Sequence, residues 1–296
     1  MSDTLESLQR REQSAGELAS VVRTMKAMAA SNINQYELAV QSLQDYYRTI
    51  SLGLNACFNN KKISVTESNE INKNKQLTIA VIFGSDQGLV GSFNDILTAF
   101  TKQLLQNVPG QKKTWAVGER VYSRLQDSGL SPTHLFSVPN SVSAITPLVN
   151  DILMKSEECR EENRQYNLFI FYNSPVNEGG YQQQSQCLFP PHKKWKEEIT
   201  KIKWPTNNLP QVIGSGENTL RALIREYLFV SIYKACAGSL AAENASRLEA
   251  MQRAEKNIDE MLNDLKQSYN RLRQSTIDEE LFDVVSGFEA LKSVNN

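Results

Sequence analysis

The chain has 296 residues, 22% of them charged, and a formal net charge of −1. This length can hold one large domain or two ordinary ones, and the nearly balanced charge provides no overall field that would favour nucleic acid or an anionic membrane surface. The sequence contains no apolar run long enough to cross a bilayer, and its first residues lack an apolar signal core. We therefore expect a cytosolic chain that does not bind nucleic acid.

The cysteines are widely separated and form no Cys-x-x-Cys pair, which predicts buried free thiols instead of disulfides or a zinc framework. They are Cys57, Cys159, Cys187 and Cys236. The histidines, His134 and His192, are too few for a multi-histidine metal site. We expect neither a metal nor a cofactor.

The first predicted element is a long helix over residues 4–58, within a coiled-coil segment of residues 1–58. From Leu5 to Leu54, apolar or aromatic residues recur at alternating steps of three and four, and only Glu12 and Lys26 interrupt this seam. A repeat sustained over so many turns predicts a left-handed coiled coil. A second, shorter apolar stripe lies beside the seam. Its members are Leu18, Val21, Met25 and Met28.

The polar residues 59–76 are typical of a linker, and after them strands and helices alternate. Residues 77–83 form a nearly continuous apolar run, as expected for a strand buried on both faces. The other predicted strands are 114–117, 134–138, 166–172 and 181–189, and the predicted helices are one that ends near 107, 119–127 and 143–163. This alternation predicts a Rossmann-like α/β domain over residues 77–189, with a mainly parallel sheet and the last strand at its edge. Residues 190–216 are predicted to be an extended connection.

The turn after the first strand contains Gly84, Gly88 and Gly91, at the place where nucleotide-binding folds hold phosphate. Their spacing matches neither the dinucleotide fingerprint nor a Walker loop, so we expect a structural turn in which glycine permits positive φ and close packing. Asp86 has no histidine, lysine or second carboxylate near it in sequence. Because nothing else resembles a triad or a metal-ligand cluster, we expect no catalytic site in this chain.

The last predicted element is a helix over residues 216–292 that contains no proline. Apolar residues recur every seven positions along it, at Met251, Ile258, Leu265 and Leu272. About 75 helical residues extend about 110 Å, so this helix needs a second long helix as its partner. We predict an α/β protein in which the N- and C-terminal helices form a long antiparallel coiled coil and carry an inserted, small Rossmann-like domain.

Three separated parts of the chain resemble the gamma subunits of F-type ATP synthases, which form the central rotor shaft. They are MKAMAAS at residues 25–31, GSDQGLVGSFN at 84–94, and a C-terminal part with SLAAENASR at 239–247 and YNRLRQ at 269–274, continued through Ser286 and Gly287. These parts occur in the order found in the family, and the resemblance covers essentially the whole length.

The resemblance implies a non-catalytic subunit of a rotary ATP synthase or ATPase. In this family the coiled coil turns inside a ring of alternating alpha and beta subunits, and the small α/β domain seats the shaft on the membrane c-ring together with epsilon. Ion-driven rotation is thereby coupled to ATP synthesis or hydrolysis in the alpha/beta hexamer. The implied location is the cytoplasmic face of the bacterial plasma membrane, as a peripheral component of the complex.

By matching positions, the resemblance implies contacts with the alpha/beta ring and a structural role for the glycine-rich turn. The contact residues are Met25, Lys26, Arg273, Gln274, Asp278 and Glu280, and the turn residues are Gly84, Asp86, Gly88 and Gly91. Residues 281–291 match the tip that turns in an apolar bearing at the top of the ring.

The sequence also departs from the family pattern. Residues 32–36 stand where the family carries a basic run, Gln87 replaces the usual arginine, Val90 replaces the common cysteine, and residues 292–296 extend past the usual apolar end. The loss of positive charge implies that steric contact with the acidic lever loop of beta outweighs electrostatic contact. The N-terminal part is most similar to the divergent gamma subunits of the alternate F-type complexes, some of which move sodium.

Two other interpretations remain open from the residues alone. One is an independent nucleotide-binding enzyme with a Rossmann-like fold, whose long helices form a dimer. Binding of ATP or NAD by the isolated chain would support it. The other is a homodimeric coiled-coil scaffold, which a monomeric chain would contradict.

Overall fold

The structure is a computed structural model that describes residues 4–59, 77–162, 166–176, 180–208 and 210–294. The predicted linker lies outside these ranges except for Asn59. The helices are α1 (Leu5–Ser42), α2 (Gln44–Asn59), α3 (Phe93–Gln106), α4 (Glu119–Asp127), α5 (Ile145–Glu162), α6 (Lys193–Thr200) and α7 (Gly216–Val294). The strands are β1 (Leu77–Phe83), β2 (Gln111–Val117), β3 (Pro132–Phe136), β4 (Tyr166–Pro175) and β5 (Tyr181–Phe189). A short 3-10 helix, Val142–Ala144, precedes α5.

The chain divides into two compact units, one of residues 1–28 and 248–296 and the other of residues 29–247. The first unit is a pair of antiparallel helices. Ala19 of α1 shares a buried cluster with Met251 and Ile258 of α7, whereas Leu8, earlier in α1, shares one with Leu265, later in α7. This packing confirms the predicted antiparallel coiled coil, and its buried residues belong to the repeats seen in the sequence.

The second unit contains, among the described residues, a five-stranded sheet with the order β3-β2-β1-β4-β5. The first four strands pair in parallel, and β5 pairs antiparallel with β4 at the edge, as predicted. Every side chain of β1 is buried because helices cover both faces of the sheet. Ile79 and Val81 pack in a cluster with α5 and α7, while Ala80 and Ile82 pack in a cluster with α3 and α4.

The predicted single helix over residues 4–58 is instead two helices. Leu43 adopts a turn between α1 and α2, although no glycine or proline is present there. The second helix, α2, is attached to α6, since the side chain of Asn55 donates hydrogen bonds to the carbonyl oxygens of Ile199, Thr200 and Ile202 at 2.8, 3.1 and 3.2 Å. These bonds bind carbonyls at and just after the end of α6, where a helix leaves carbonyl groups with few internal partners.

The prediction of an extended connection over residues 190–216 is wrong for Lys193–Thr200, which form α6. Trp195 and Ile199, four residues apart, present an apolar face. Ile199 is buried, and the ring of Trp195 packs edge-on against Phe58 of α2 with their centroids 6.0 Å apart. The flanking prolines and lysines dominated the sequence pattern, whereas the helix depends on this contact with α2.

The cysteines are free thiols; Cys57, Cys159 and Cys236 are buried, and Cys187 is half-buried. Burial raises the pKa of the Cys187 thiol to about 11, which keeps this thiol protonated at neutral pH. Within the described ranges, no helix combines the length and apolar character needed to cross a bilayer.

Candidate functional site

An exposed apolar stripe runs along α1 beside the buried seam. Leu18, Val21 and Met28 are 53%, 55% and 61% exposed. Their spacing of three and seven residues places them on one face of the helix. The resemblance assigned a contact with another subunit to Met25 of this stripe but not to these three residues; their exposure makes them a candidate surface for one.

The two contact residues predicted on α1 lie against α7 in the structure. Met25 is half-buried and packs on the cluster that contains Met251. Lys26 Nζ lies 2.5 Å from one carboxylate oxygen of Glu255, and Arg23 Nε lies 3.1 Å from the other. The hydrogen bond from Lys26, followed by that from Arg23, holds the pKa of Glu255 below its usual value. These contacts join the two helices and engage the positive charge of Lys26.

A second exposed apolar surface lies on α7 after Leu272. Leu272 is the last apolar residue of α7 that packs on the cluster containing Leu8. All of residues 273–287 are exposed except the half-buried Thr276. They include Ile277, Leu281 and Val284, which are 52%, 61% and 70% exposed. A helix with large apolar side chains and no packing partner in the described chain is a candidate surface for another molecule.

The apolar residues of this segment form a stripe with polar borders. Each residue of an α-helix is rotated by about 100° around the helix axis from the one before it. Around this axis, Ile277, Leu281 and Val284 lie within roughly 60° of one another, and about 120° from the buried seam around Leu265. The predicted contact residues lie along the stripe: Arg273 and Glu280 beside one edge, Gln274 and Asp278 beside the other. All four are exposed. The structure therefore brings these four residues together on one segment, apart from Met25 and Lys26.

The glycine-rich turn after β1 is joined to α7 by two hydrogen bonds. The hydroxyl of Ser239 donates to the carbonyl oxygen of Phe83 at 2.9 Å, and the hydroxyl of Ser246 donates to that of Val90 at 2.7 Å. Glu243 lies on the same face of α7 between the two serines, and its carboxylate pairs with Arg247 at 2.6 Å. Burial raises the pKa of Glu243, an effect that Arg247 opposes. These contacts attach α7 to the end of the central strand.

Close packing explains the residue types in the turn. A Cβ on Gly84 would lie 2.3 Å from Cβ of Val121, and one on Gly88 would lie 3.3 Å from Nη2 of Arg120. Gly91 has a φ of 56°. The carboxylate of Asp86 accepts hydrogen bonds from the backbone N–H groups of Glu119, at 2.9 Å, and Val138, at 3.1 Å. Asp86 therefore satisfies the start of α4, where backbone N–H groups lack helical partners.

The place where a doubly wound sheet binds a nucleotide is occupied by α7. In such folds the ligand lies beyond the carboxyl ends of the strands where the strand order reverses. Here the order reverses between β1 and β4. Ala242 packs there against Val90 and against Phe93, the first residue of α3, while Ser246 binds the Val90 carbonyl. This filling disfavours the interpretation as a nucleotide-binding enzyme.

Comparisons with known proteins agree with this geometry. The model of a protein family described as ATP synthase matches residues 4–291. The ATP synthase gamma chain of Nautilia profundicola is 25% identical, over 98% of this chain and 99% of its own. The mitochondrial ATP synthase subunit gamma of Kluyveromyces lactis is 27% identical, over 97% of this chain and 93% of its own.

Solved structures show the same fold. A chain in the mitochondrial ATP synthase of Euglena gracilis, in a structure of OSCP, F1 and the c-ring, has a TM-score of 0.66 over 99% of this chain and 96% of its own, at 13% identity. A chain in the central stalk and c-ring structure of the Tetrahymena thermophila mitochondrial ATP synthase has a TM-score of 0.55 over 79% of this chain and 99% of its own, at 21% identity.

Proposed function

Because the chain belongs to the gamma-subunit family of ATP synthases and is therefore a central-stalk rotor subunit, we propose that it is a non-catalytic shaft whose α7 tip turns against the alpha and beta subunits. Its α/β domain binds epsilon and the membrane c-ring. The chain is held at the cytoplasmic face of a bacterial plasma membrane through the complex, and the membrane ring binds the transported proton or sodium ion.

The exposed apolar stripe at the end of α7 is the observation that carries this proposal. Ile277, Leu281 and Val284 lie in water in the isolated chain, so a partner that covers them gains free energy from their burial. Apolar contact has little directional preference. A shaft that turns in a bearing needs such a surface, because strong directional bonds would hold it at one angle.

The polar residues beside this stripe supply the angle-dependent contacts. Arg273, Gln274, Asp278 and Glu280 are exposed and therefore available to a surrounding ring. Charged and hydrogen-bonding groups favour particular orientations of two surfaces more strongly than apolar groups do. In this proposal they bias the shaft toward the positions at which the beta subunits change affinity for nucleotide.

The paired helices suit the mechanical task. One elementary charge that crosses 100 mV releases about 2.3 kcal/mol, so several ion steps must be summed to release one ATP. The buried seam of residues 8–22 with 251–265 holds two helices together, and a pair resists bending more than a single helix does. Torque is then delivered to the tip with little loss.

The test is the double variant Gln274→Ala with Glu280→Ala, co-expressed with the alpha and beta subunits from the same genome. We expect the complex to assemble and its coupled ATP synthesis and ATPase rates to fall about threefold to tenfold, because two polar contacts are lost. The matched control is Ser275→Ala with Glu279→Ala, two exposed residues on the opposite side of the same helix. Unchanged rates in the first variant would contradict the proposed contacts, and a chain that elutes without alpha and beta would contradict the shaft itself.

A further inference from the structure

A cavity of about 910 Å³ lies in the second unit between α5, the first turns of α7 and the sheet. Its volume is within the range of sites for small organic ligands. It lies at the start of β4, where Tyr166 pairs with Leu77, and therefore at the opposite end of β1 from the glycine-rich turn. Much of its wall is apolar. This part includes Leu153, Tyr166, Phe189, Leu228 and Phe229.

Three arginines line the same cavity. Arg221 and Arg225 are four residues apart on α7 and share a face, and Arg160 is contributed by α5. All three are exposed, and none of them forms a salt bridge with a carboxylate among the side chains that the structure describes, which exclude those of Glu161 and Glu162. The cavity therefore combines an apolar wall with three exposed guanidinium groups.

The acidic residues at the cavity neutralise this charge only in part. Glu157 and Glu226 also line it. Glu226 accepts a hydrogen bond from the hydroxyl of Tyr46 at 2.6 Å, and this bond raises the pKa of Tyr46. The two carboxylates keep their charge and stand against three guanidinium groups in the lining, so an excess of positive charge remains.

We propose that this cavity binds an amphipathic anion, with a phosphate or carboxylate group held by Arg160, Arg221 and Arg225 and an apolar body against Leu153, Phe189 and Leu228. Guanidinium groups bind such oxyanions through paired, charge-assisted hydrogen bonds. The apolar wall gains from the burial of a hydrocarbon chain or ring. The ligand is either a soluble amphiphile or a phospholipid, and the site is independent of the rotor contacts on α7.

The first test is calorimetric titration of the full chain with dodecyl phosphate below its micellar concentration. Inorganic phosphate and dodecyl maltoside are the comparison probes, since each presents only one half of the ligand. We expect dodecyl phosphate to bind at least about tenfold more tightly than either. Equal binding of phosphate alone, or of the uncharged detergent, overturns the proposal.

Two variants probe the two halves of the site separately. Arg221→Gln with Arg225→Gln removes the anion contact from exposed helix positions, and we expect about tenfold weaker binding of dodecyl phosphate. Ala222→Phe, also exposed, fills the cavity without a change in charge and is expected to weaken binding similarly. The matched control, Arg253→Gln with Lys256→Gln, removes the same charge elsewhere on α7. Equal weakening in this control overturns the proposal.

Vesicle sedimentation distinguishes the source of the ligand. If phosphatidylglycerol vesicles retain the chain, phosphatidylcholine vesicles do not, and Arg221→Gln with Arg225→Gln abolishes retention, the ligand is a phospholipid. If only dodecyl phosphate in solution binds, the ligand is a soluble amphiphile. Absence of binding to both overturns the proposal, while the rotor function, measured by ATPase activity of the complex, is unaffected.

Discussion

Two segments of the one helix α7 differ completely in their surroundings. In the anchor segment, residues 230–246, every residue is buried except Lys234 and Ala245. In the tip segment, residues 273–287, every residue is exposed except Thr276. A helix that is buried on all sides must be surrounded by its own chain or by a partner, and the anchor segment is surrounded by its own chain.

Amino-acid composition explains why one segment of α7 is buried and the other is exposed. The anchor segment is rich in small side chains, which let the sheet and neighbouring helices approach closely. Its small residues include Ala235, Gly238, Ser239, Ala241 and Ala242. The tip segment carries long polar side chains and large apolar ones with no partner in the described chain. The anchor is thus stabilised by this chain alone, whereas the tip depends on another molecule for its burial.

The largest expected effect comes from Gly84→Ala, which disturbs the turn that holds the anchor segment. The added Cβ would lie 2.3 Å from Cβ of Val121 and 2.7 Å from Oδ1 of Asn94, so the backbone must shift. We expect the free energy of unfolding in urea to fall by about 3 kcal/mol. The control is Gly287→Ala in the tip segment, where nothing lies within 4 Å of the new Cβ. Equal losses in the two variants would show that the anchor is not the more constrained segment.

A smaller effect is expected from Ser246→Ala, which removes one of the two hydrogen bonds between the anchor segment and the turn. The Val90 carbonyl loses the donor at 2.7 Å and keeps the longer bond from the backbone N–H of Phe93 at 3.3 Å, and we expect a loss of about 1 kcal/mol in unfolding free energy. Ser275→Ala in the tip segment removes the same hydroxyl from an exposed position and should leave stability unchanged. A loss in Ser275→Ala as large as that in Ser246→Ala would contradict the comparison.

The smallest effect on stability is expected from Glu255→Gln, in the helix pair of the first unit. Because Lys26 and Arg23 lower the pKa of Glu255 in the folded state, its charged form stabilises the fold above the ordinary pKa of 4.5, and this stabilisation is lost as the pH falls through the lowered value. Glu255→Gln should therefore show a slightly lower Tm at pH 7 and a shallower fall of Tm below about pH 4.5.

Circular dichroism melts between pH 3 and pH 7 measure this slope, and added salt should reduce the difference. The control is Glu260→Gln, which removes a more exposed carboxylate 4.0 Å from Lys256. An identical pH slope in the wild type and Glu255→Gln would show that the ion pair contributes nothing.

Local patterns predicted many elements of this fold. The apolar run at residues 77–83 and the segment at residues 181–189 correspond to β1 and β5 at both boundaries. The prediction failed where distant contacts decide the conformation. The helix α6 is held by the contact between Asn55 and the carbonyl groups at its end, and no local signal marks that contact. The turn at Leu43 likewise has no glycine or proline to mark it.

At the candidate sites, too, the sequence indicated some features and only the structure showed the others. The sequence indicated the roles of Gln274 and Glu280 only through resemblance, and their contact with other subunits stays a prediction. The second stripe of α1 was visible as a spacing, yet only the structure shows that Leu18 and Val21 are exposed while Met25 is half-buried. A spacing shows which residues share a face of a helix, and packing shows which face is covered.

Periodicity alone was sufficient for the paired helices, because a long apolar stripe on a helix requires a second helix to bury it. Ser246 and Val90, in contrast, are 156 residues apart, and their hydrogen bond joins a helix to the end of a strand. Only the tertiary structure shows that α7 occupies the crevice of the sheet. It alone also shows that three arginines surround the apolar cavity. Both features bring together residues whose proximity depends on the path of the whole chain, which no local spacing records.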